Sequence, residues 1–324
     1  MLGIARYLAP VCLAMSAVAP CAMAQDFPNR PIRFVVPYQT GGLPDVMARL
    51  VAQKVEASTG QPVVVDNRSG ASGILAAEYV AKSAPDGYTL FVADIGHFAI
   101  NPALYHNLSY DPNRDFTPVT TAVHGPLLLV ANSGLEANSV PELIALARAH
   151  PGKVNYGSPG NGSVHQLAMA RLSLQANVKM VHIPYRSTAQ AIPALVANDV
   201  QVMFVSPPSV NEFVKSGRLK VLGVGSPEPT PLAPGAPAVA ASGFPGFNAV
   251  TTVGFLAPAG TPAAVVGRLN EEIGRALKAP DVMAKMPGMG VTVVADSPQE
   301  FRKLMLADQA YYRTLVEQTG VKVD

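Results

Sequence analysis

Two glycine-rich stretches hold the residues best suited to chemistry. The first is Pro37-Tyr38-Gln39-Thr40-Gly41-Gly42-Leu43-Pro44-Asp45 and the second Tyr156-Gly157-Ser158-Pro159-Gly160-Asn161-Gly162-Ser163; each joins a β-rich run to an amphipathic stretch. Glycine lets backbone N–H groups come close to a ligand, and the amides of a following helix N-terminus favour negative charge. Each loop is therefore a candidate anion site. The plainer alternative is a turn in which Asp45 or Ser163 only satisfies the first helical turn. The device occurs once in each half of the chain, which favours the anion reading, because a cleft between two lobes would let one anion bridge both loops.

Magnitudes agree with such a site. Micromolar binding needs about 8 kcal/mol; a hydrogen bond to a charged group contributes about 1.5–3 kcal/mol and a helix terminus up to about 2 kcal/mol. Several backbone donors suffice, with Arg68 and Arg186 as candidate direct contacts, although solvation at the surface is the ordinary state of either. Neither loop is a nucleotide motif. The second reads G-x-x-G-x-G rather than G-x-G-x-x-G, and neither has the lysine of a phosphate loop, so no cofactor is expected.

The six histidines are scattered, with no HExxH, and no metal site is expected. His97 lies just past a predicted strand end and His165 just past the second loop, so these two stand nearest to candidate chemistry. A serine hydrolase would have to use Ser158 or Ser163 with His165, without the G-x-S-x-G elbow that exposes a nucleophile. No catalytic residue is assigned.

These loops need strands and helices to hold them. The spacing predicts strands at Ile32–Val36, Pro62–Val65 and Tyr88–Val92, and a helix from Pro44 to Glu56 with Met47, Leu50, Val51 and Val55 on one face. A second series starts with a strand at Leu127–Ala131 and a helix opened by the capping box Ser139-Val140-Pro141-Glu142. Strands at Met180–Ile183 and Val200–Val205 continue it. Alternation of this kind predicts an α/β protein on largely parallel sheets. Residues 226–260 are dense in proline and glycine, and the return crossing between lobes is expected near their end. Two helices close the chain, one opening at Thr261-Pro262 with Val265, Leu269 and Ile273 inward, the other at Ser297-Pro298-Gln299-Glu300 and stopping at Gly320. Both are expected to brace the first lobe.

Residues 1–24 are unlike the rest. Arg6 is their one charged side chain, Leu8 to Ala19 is apolar, and Ala22-Met23-Ala24 has the small-x-small pattern of a cleavage site. The run is shorter than the roughly 20 apolar residues of a membrane span and is interrupted by proline. We read a signal peptide cleaved after Ala24. Both cysteines lie within it, so the mature chain has no disulfide and depends on its core. With 49% hydrophobic and 14% charged residues and a net charge of +2, the chain has a large core and no basic field, which excludes nucleic-acid binding.

Further segments carry a family resemblance over nearly all of the mature chain. They are Phe27-Pro28-Asn29-Arg30-Pro31-Ile32; Gly41-Gly42 with Asp45; Val65-Asp66-Asn67-Arg68 with Gly70-Ala71 and Gly73; Asp86-Gly87-Tyr88-Thr89-Leu90; and Tyr110-Asp111-Pro112 with Asp115-Phe116. Then follow Tyr156-Gly157-Ser158 with Gly160 and Gly162-Ser163; His182-Ile183-Pro184-Tyr185; and Ala257-Pro258-Ala259-Gly260-Thr261-Pro262. The sequence resembles the Bug family, the substrate-binding proteins of tripartite tricarboxylate transporters.

The resemblance implies a bilobed α/β periplasmic-binding-protein fold of type II, with lobe 1 from residues 25–123 plus 250–324 and lobe 2 from residues 124–249. It implies a periplasmic, non-enzymatic monomer that closes on a small organic anion, a mono- or dicarboxylate, and hands it to the transporter's membrane subunits. The alternative is an extracytoplasmic sensor feeding a two-component system. Implied ligand-binding residues are Tyr38, Thr40, Gly41, Gly42, Asp45, Ser72 and His97 in lobe 1. In lobe 2 they are Gly157, Ser158, Asn161, Gly162, Ser163 and Tyr185. Five places depart from the family pattern: Pro44 stands where threonine is common, Gln201 where aspartate is usual, Arg186-Ser187 where lysine-glycine usually follows the Pro-Tyr pair, Thr252 or Val253 near the place of a tryptophan, and His97 where small hydroxyl residues are frequent.

Overall fold

A computed structural model describes residues 27–323 except Pro229 and Pro231. The signal peptide and cleavage site expected from the sequence lie outside the described residues. The first sheet is built from β1 (Ile32–Val36), β2 (Val63–Asn67), β3 (Thr89–Asp94), β4 (Phe116–Pro126), β10 (Val250–Pro258) and β11 (Thr292–Val293), in the order β11-β4-β10-β3-β1-β2. The second holds β5 (Leu128–Asn132), β6 (Asn155–Ser158), β7 (Val181–Pro184), β8 (Val202–Val205) and β9 (Leu219–Val224), in the order β7-β6-β8-β5-β9.

Helices cover both faces of each sheet. Along β1 and β3, Phe34, Val36, Leu90 and Val92 point to one side, where they meet α1 (Leu43–Thr59) and α8 (Ala263–Leu277). Val35, Phe91 and Ala93 point to the other, against α2 (Ile74–Ala81) and α11 (Pro298–Thr319). This period-two division is what a strand buried on both faces produces. In the second sheet Leu129, Ala131, Val202 and Phe204 pack on α4 (Val140–Ala149) and α5 (Val164–Ala176). Leu128, Val130, Met203 and Val205 pack on α6 (Thr188–Val196) and α7 (Asn211–Lys215). The short α3 (Asn101–Leu104) follows β3, and α9 (Pro280–Met283) and α10 (Met286–Met289) follow α8.

The sheets are mixed rather than largely parallel. β1 pairs in parallel with β2 and β3, and β6 with β7 and β8. β10 runs antiparallel to β3 and β4, and β5 antiparallel to β8 and β9. The reason is the path of the chain: β4 leads out of the first sheet and β10 leads back alongside it, so the two must oppose. At the neck the Leu127 amide donates to Ala249 O, Gly225 N to Leu127 O and Ala249 N to Gly225 O. A side chain at Gly225 would come within 2.5 Å of Ala249 O, so only glycine lets the three backbones meet. The terminal helices brace the first sheet, as expected, and α11 also reaches α5: Leu167 of α5 shares a buried cluster with Tyr312 and Leu315. Arg171 of α5 bonds Tyr311 Oη and donates to Gly246 O at 2.7 Å.

Candidate functional site

Both glycine-rich loops leave the carboxyl ends of parallel strands, β1 and β6, and run into helix N-termini, α1 and α5. In α/β sheets such crevices are where ligands bind. The α1 terminus has Gly42 as its N-cap with no side-chain cap, and Pro44 in the first turn carries no N–H. Asp45 is 2% exposed and turns back on the loop: it accepts from Gly41 N at 2.9 Å, Arg49 Nε at 3.1 Å and Asn67 Nδ2 at 2.9 Å. Burial pushes the Asp45 carboxyl up, but Arg49, the Gly41 amide and Asn67 outweigh it and hold it below its ordinary value. Asp45 and Asn67 thus set the loop's shape, while Tyr38, Thr40, Gly41 and Gly42 are exposed on its outer side.

In the second loop Ser163 is the N-cap of α5, its Oγ accepting from Gln166 N at 3.3 Å and donating to Gly160 O at 2.8 Å. Ser158 is fully buried and bonds within the lobe, to Gly160 O at 2.9 Å and His182 Nε2 at 2.7 Å. Its histidine partner is therefore His182, on β7, and not His165. Gly157 is buried beside Tyr185, whose amide donates to Ser158 O at 2.9 Å; Asn161 is exposed, and Gly162 and Ser163 are half-buried. Burial pushes His182 down to about 4, so the ring is neutral at pH 7.

Beside the first loop, at the end of β3, lies a cluster that the sequence reading only partly found. Tyr38 Oη donates to Asp94 Oδ2 at 2.6 Å; His97 Nδ1 is 2.8 Å from Asp94 Oδ1, and the Gly96 amide donates to the same oxygen at 2.9 Å. His97 is 1% exposed, packed edge-on to Tyr38 and Phe91, and a side chain on Gly73 would strike its Nε2 at 2.0 Å. Ser72 is exposed in the adjoining loop, with Oγ accepting from Tyr105 Oη at 3.0 Å. Burial pushes Asp94 up, but the His97 ring, Tyr38 and the Gly96 amide together hold the carboxyl below its ordinary value. Asp94 lies close enough to the first turn of α5 that its charge acts on His165, which burial nevertheless holds down to about 4. The second loop meets the first lobe at α3, where a Cβ on Gly162 would lie 2.5 Å from Leu104 Cδ1. A strand ending in Asp with His three residues on was the available signal for Asp94 and His97.

Both arginine candidates are placed. Arg68 bonds Asp66 at 2.9 Å and stacks 3.5 Å over Tyr79, whereas Arg186 is exposed beside Tyr185. Gln201 receives the Asn155 amide at 2.8 Å, and Thr252 bonds His124 Nδ1 at 2.9 Å. Among the described residues no cluster of three His, Cys, Asp or Glu could hold a metal. A depression of about 500 Å³ lined by Arg49, Gln53, Glu56 and Val63 lies beside α1 and β2.

Two α/β lobes, joined by crossing strands and each carrying one glycine-rich loop at a strand's carboxyl end, define a periplasmic binding protein. The chain belongs to the tripartite tricarboxylate transporter receptor family, whose model matches residues 47–321. It is 33% identical over 312 residues to BugT of Bordetella pertussis, covering 96% of each chain. Rpa4515 of R. palustris, solved with adipate, is similar with a TM-score of 0.84 and 32% identity, over 92% of this chain and 99% of that one. MatC of Rhodopseudomonas palustris, solved with bound malate, gives 0.80 and 31%, over 90% and 100%. Its family consists of binding receptors rather than enzymes.

Proposed function

We propose that this protein captures a small mono- or dicarboxylate between its lobes in the periplasm and presents the closed form to the membrane subunits of a tripartite tricarboxylate transporter. One observation carries the reading: a glycine-rich loop leaves the carboxyl end of a parallel strand and opens a helix once in each lobe, β1 into α1 and β6 into α5, and the second loop lies against the first lobe, where a Cβ on Gly162 would come 2.5 Å from Leu104 Cδ1. Relatives of the same fold hold adipate and malate. In this reading Thr40, Gly41, Gly42 and Ser72 reach the anion from lobe 1, residues 25–123 plus 250–324. Asn161, Gly162, Ser163 and Tyr185 reach it from lobe 2, residues 124–249. Asp45, His97, Gly157 and Ser158 shape the walls behind them, and Tyr38 stands at the rim. The ligand favours closure by touching both lobes, and the membrane subunits read that closure. The mature protein is a monomer beginning at Gln25.

Thermal unfolding of residues 25–324, refolded to remove bound ligand, tests this against mono-, di- and tricarboxylates, amino acids and neutral sugars. Ligand at 100 times its Kd adds about 2.7 kcal/mol, a rise of roughly 4 °C at this size. A rise confined to carboxylates is expected; a rise with sugars alone contradicts the reading.

A further inference from the structure

We propose that Arg49, in the second turn of α1, is a positioning residue for the first anion loop: it supplies the counter-charge that lets the buried carboxylate of Asp45 hold the loop without repelling an anionic ligand. The inference rests on the carboxylate-binding reading above and adds a residue that serves that site without touching the ligand.

The first loop contains a conflict of charge. Asp45 is a buried acid in the first turn of α1, and its Oδ2 accepts from the Gly41 amide at 2.9 Å, so a negative charge lies one hydrogen bond from the backbone that is offered to an anion. Burial pushes this carboxyl up, but Arg49 and the Gly41 amide hold it below its ordinary value, and it is ionised at pH 7. A carboxylate in that turn also uses the favourable end of the helix dipole. Pro44 has no N–H and Gly42 caps the helix without a side chain, so neither offsets the charge. Alone, Asp45 would set like charge against like where little water screens them.

Arg49 is built to cancel that charge. Its Nε lies 3.1 Å from both oxygens of Asp45 and its Nη2 3.0 Å from Oδ1, the i,i+4 spacing bringing the two side chains to one face of the helix. The same Nη2 donates to Asn67 Oδ1 at 2.9 Å, and Asn67 Nδ2 donates to Asp45 Oδ1 at 2.9 Å and Tyr38 O at 3.0 Å. The guanidinium thereby closes a ring of bonds joining loop, helix and β2. Arg33 of β1 and Arg68 beyond β2 are committed to Asp66, each at 2.9 Å. Arg49 is half-exposed beside β2, so replacing it removes a charge without opening a cavity in the core.

Calorimetric titration of refolded residues 25–324 with adipate, malate, succinate and butanoate tests this, or with the tightest acid of the thermal panel if none of these binds. Arg49→Gln keeps hydrogen-bond donors and loses the charge, and should weaken binding by roughly tenfold or more. Arg49→Lys keeps the charge and loses the planar fork, and should bind more tightly than Arg49→Gln. The deciding variant combines Arg49→Gln with Asp45→Asn. With the acid gone the double variant should bind more tightly than Arg49→Gln alone, whereas a residue that only shapes the loop predicts that losing both partners is worse than losing one. If Arg49→Gln does not fold, Asp45→Asn with Arg49 in place decides: it should bind at least as tightly as wild type, and weaker binding overturns the inference. Arg49→Gln binding like wild type, or a double variant no tighter than Arg49→Gln, overturns this inference alone. A wild type that binds no acid, of these or of the wider carboxylate panel, overturns the carboxylate reading and the inference with it.

Discussion

Ser158 Oγ lies 2.7 Å from His182 Nε2, and Gln166 Nε2 lies 3.0 Å from the other ring nitrogen. The direction of the bonds decides what this trio does. The Gly162 amide donates to Gln166 Oε1 at 2.6 Å, so the glutamine nitrogen must donate to Nδ1, and the imidazole proton sits on Nε2, facing the serine. A nucleophilic serine needs the opposite tautomer, with an acceptor behind Nδ1 and a bare Nε2 to take its proton. Here Ser158 gives its proton to Gly160 O instead. The trio is a brace that ties β6, β7 and α5 together behind the second loop.

Replacing Ser158 with alanine removes the partner of a buried imidazole N–H. Such an orphaned donor costs about 1–3 kcal/mol, so urea unfolding of Ser158→Ala should show a loss in that range. Neither protein should turn over activated esters. A stability unchanged within error would mean that the brace is not formed in solution.

Acid should act on the fold through two opposing groups. Burial holds His165 and His182 down to about 4, below the ordinary histidine value of 6.5. The unfolded chain therefore takes up these protons first, and stability falls as pH drops from 6.5 toward 4. Burial pushes Asp308 of α11 up to about 7, and its Oδ2 has no hydrogen-bond partner among the described residues. There the folded state holds the extra proton between pH 4 and 7, so stability falls as pH rises through that window, by at most about 4 kcal/mol. Asp308→Asn should raise stability at pH 8 and expose the histidine slope below 6.5. Denaturant midpoints across pH 4–8 measure both; a variant with the wild-type profile contradicts the assignment.

Gly254 of β10 is where α11 seats. An added Cβ would lie 2.3 Å from Phe301 Cζ, and Phe301 is fully buried. Overpacking of this kind typically costs about 1–3 kcal/mol. Gly254→Ala should lower the thermal midpoint, and Gly254→Ala with Phe301→Leu should recover part of it.

The parts of the fold legible in the sequence were those with a local signature. β1 coincides with Ile32–Val36, Ser139 and Ser297 cap their helices through Glu142 N and Glu300 N, and Gly320 ends α11 with φ 65°. β10 was hidden inside the proline- and glycine-rich stretch: Val250–Pro258 is buried along most of its length, so it shows no polar alternation. β4 and β9 were missed as well, and with the crossing pair β4 and β10 went the antiparallel half of the first sheet. At the site, the two loops followed from glycine spacing. The pairing of Ser158 with His182, and of Tyr38 with Asp94, joins residues 24 and 56 positions apart, which no spacing rule reaches.

The central claim is that one anion is held by both loops at once. Amide hydrogen exchange, read on peptides covering residues 38–46 and 157–167, tests it in the refolded protein with and without the tightest-binding carboxylate. Exchange should slow in both segments together and by a similar factor, because each lobe contributes donors to the same closed state. Slowing in only one segment, or only at residues remote from both, would contradict the account.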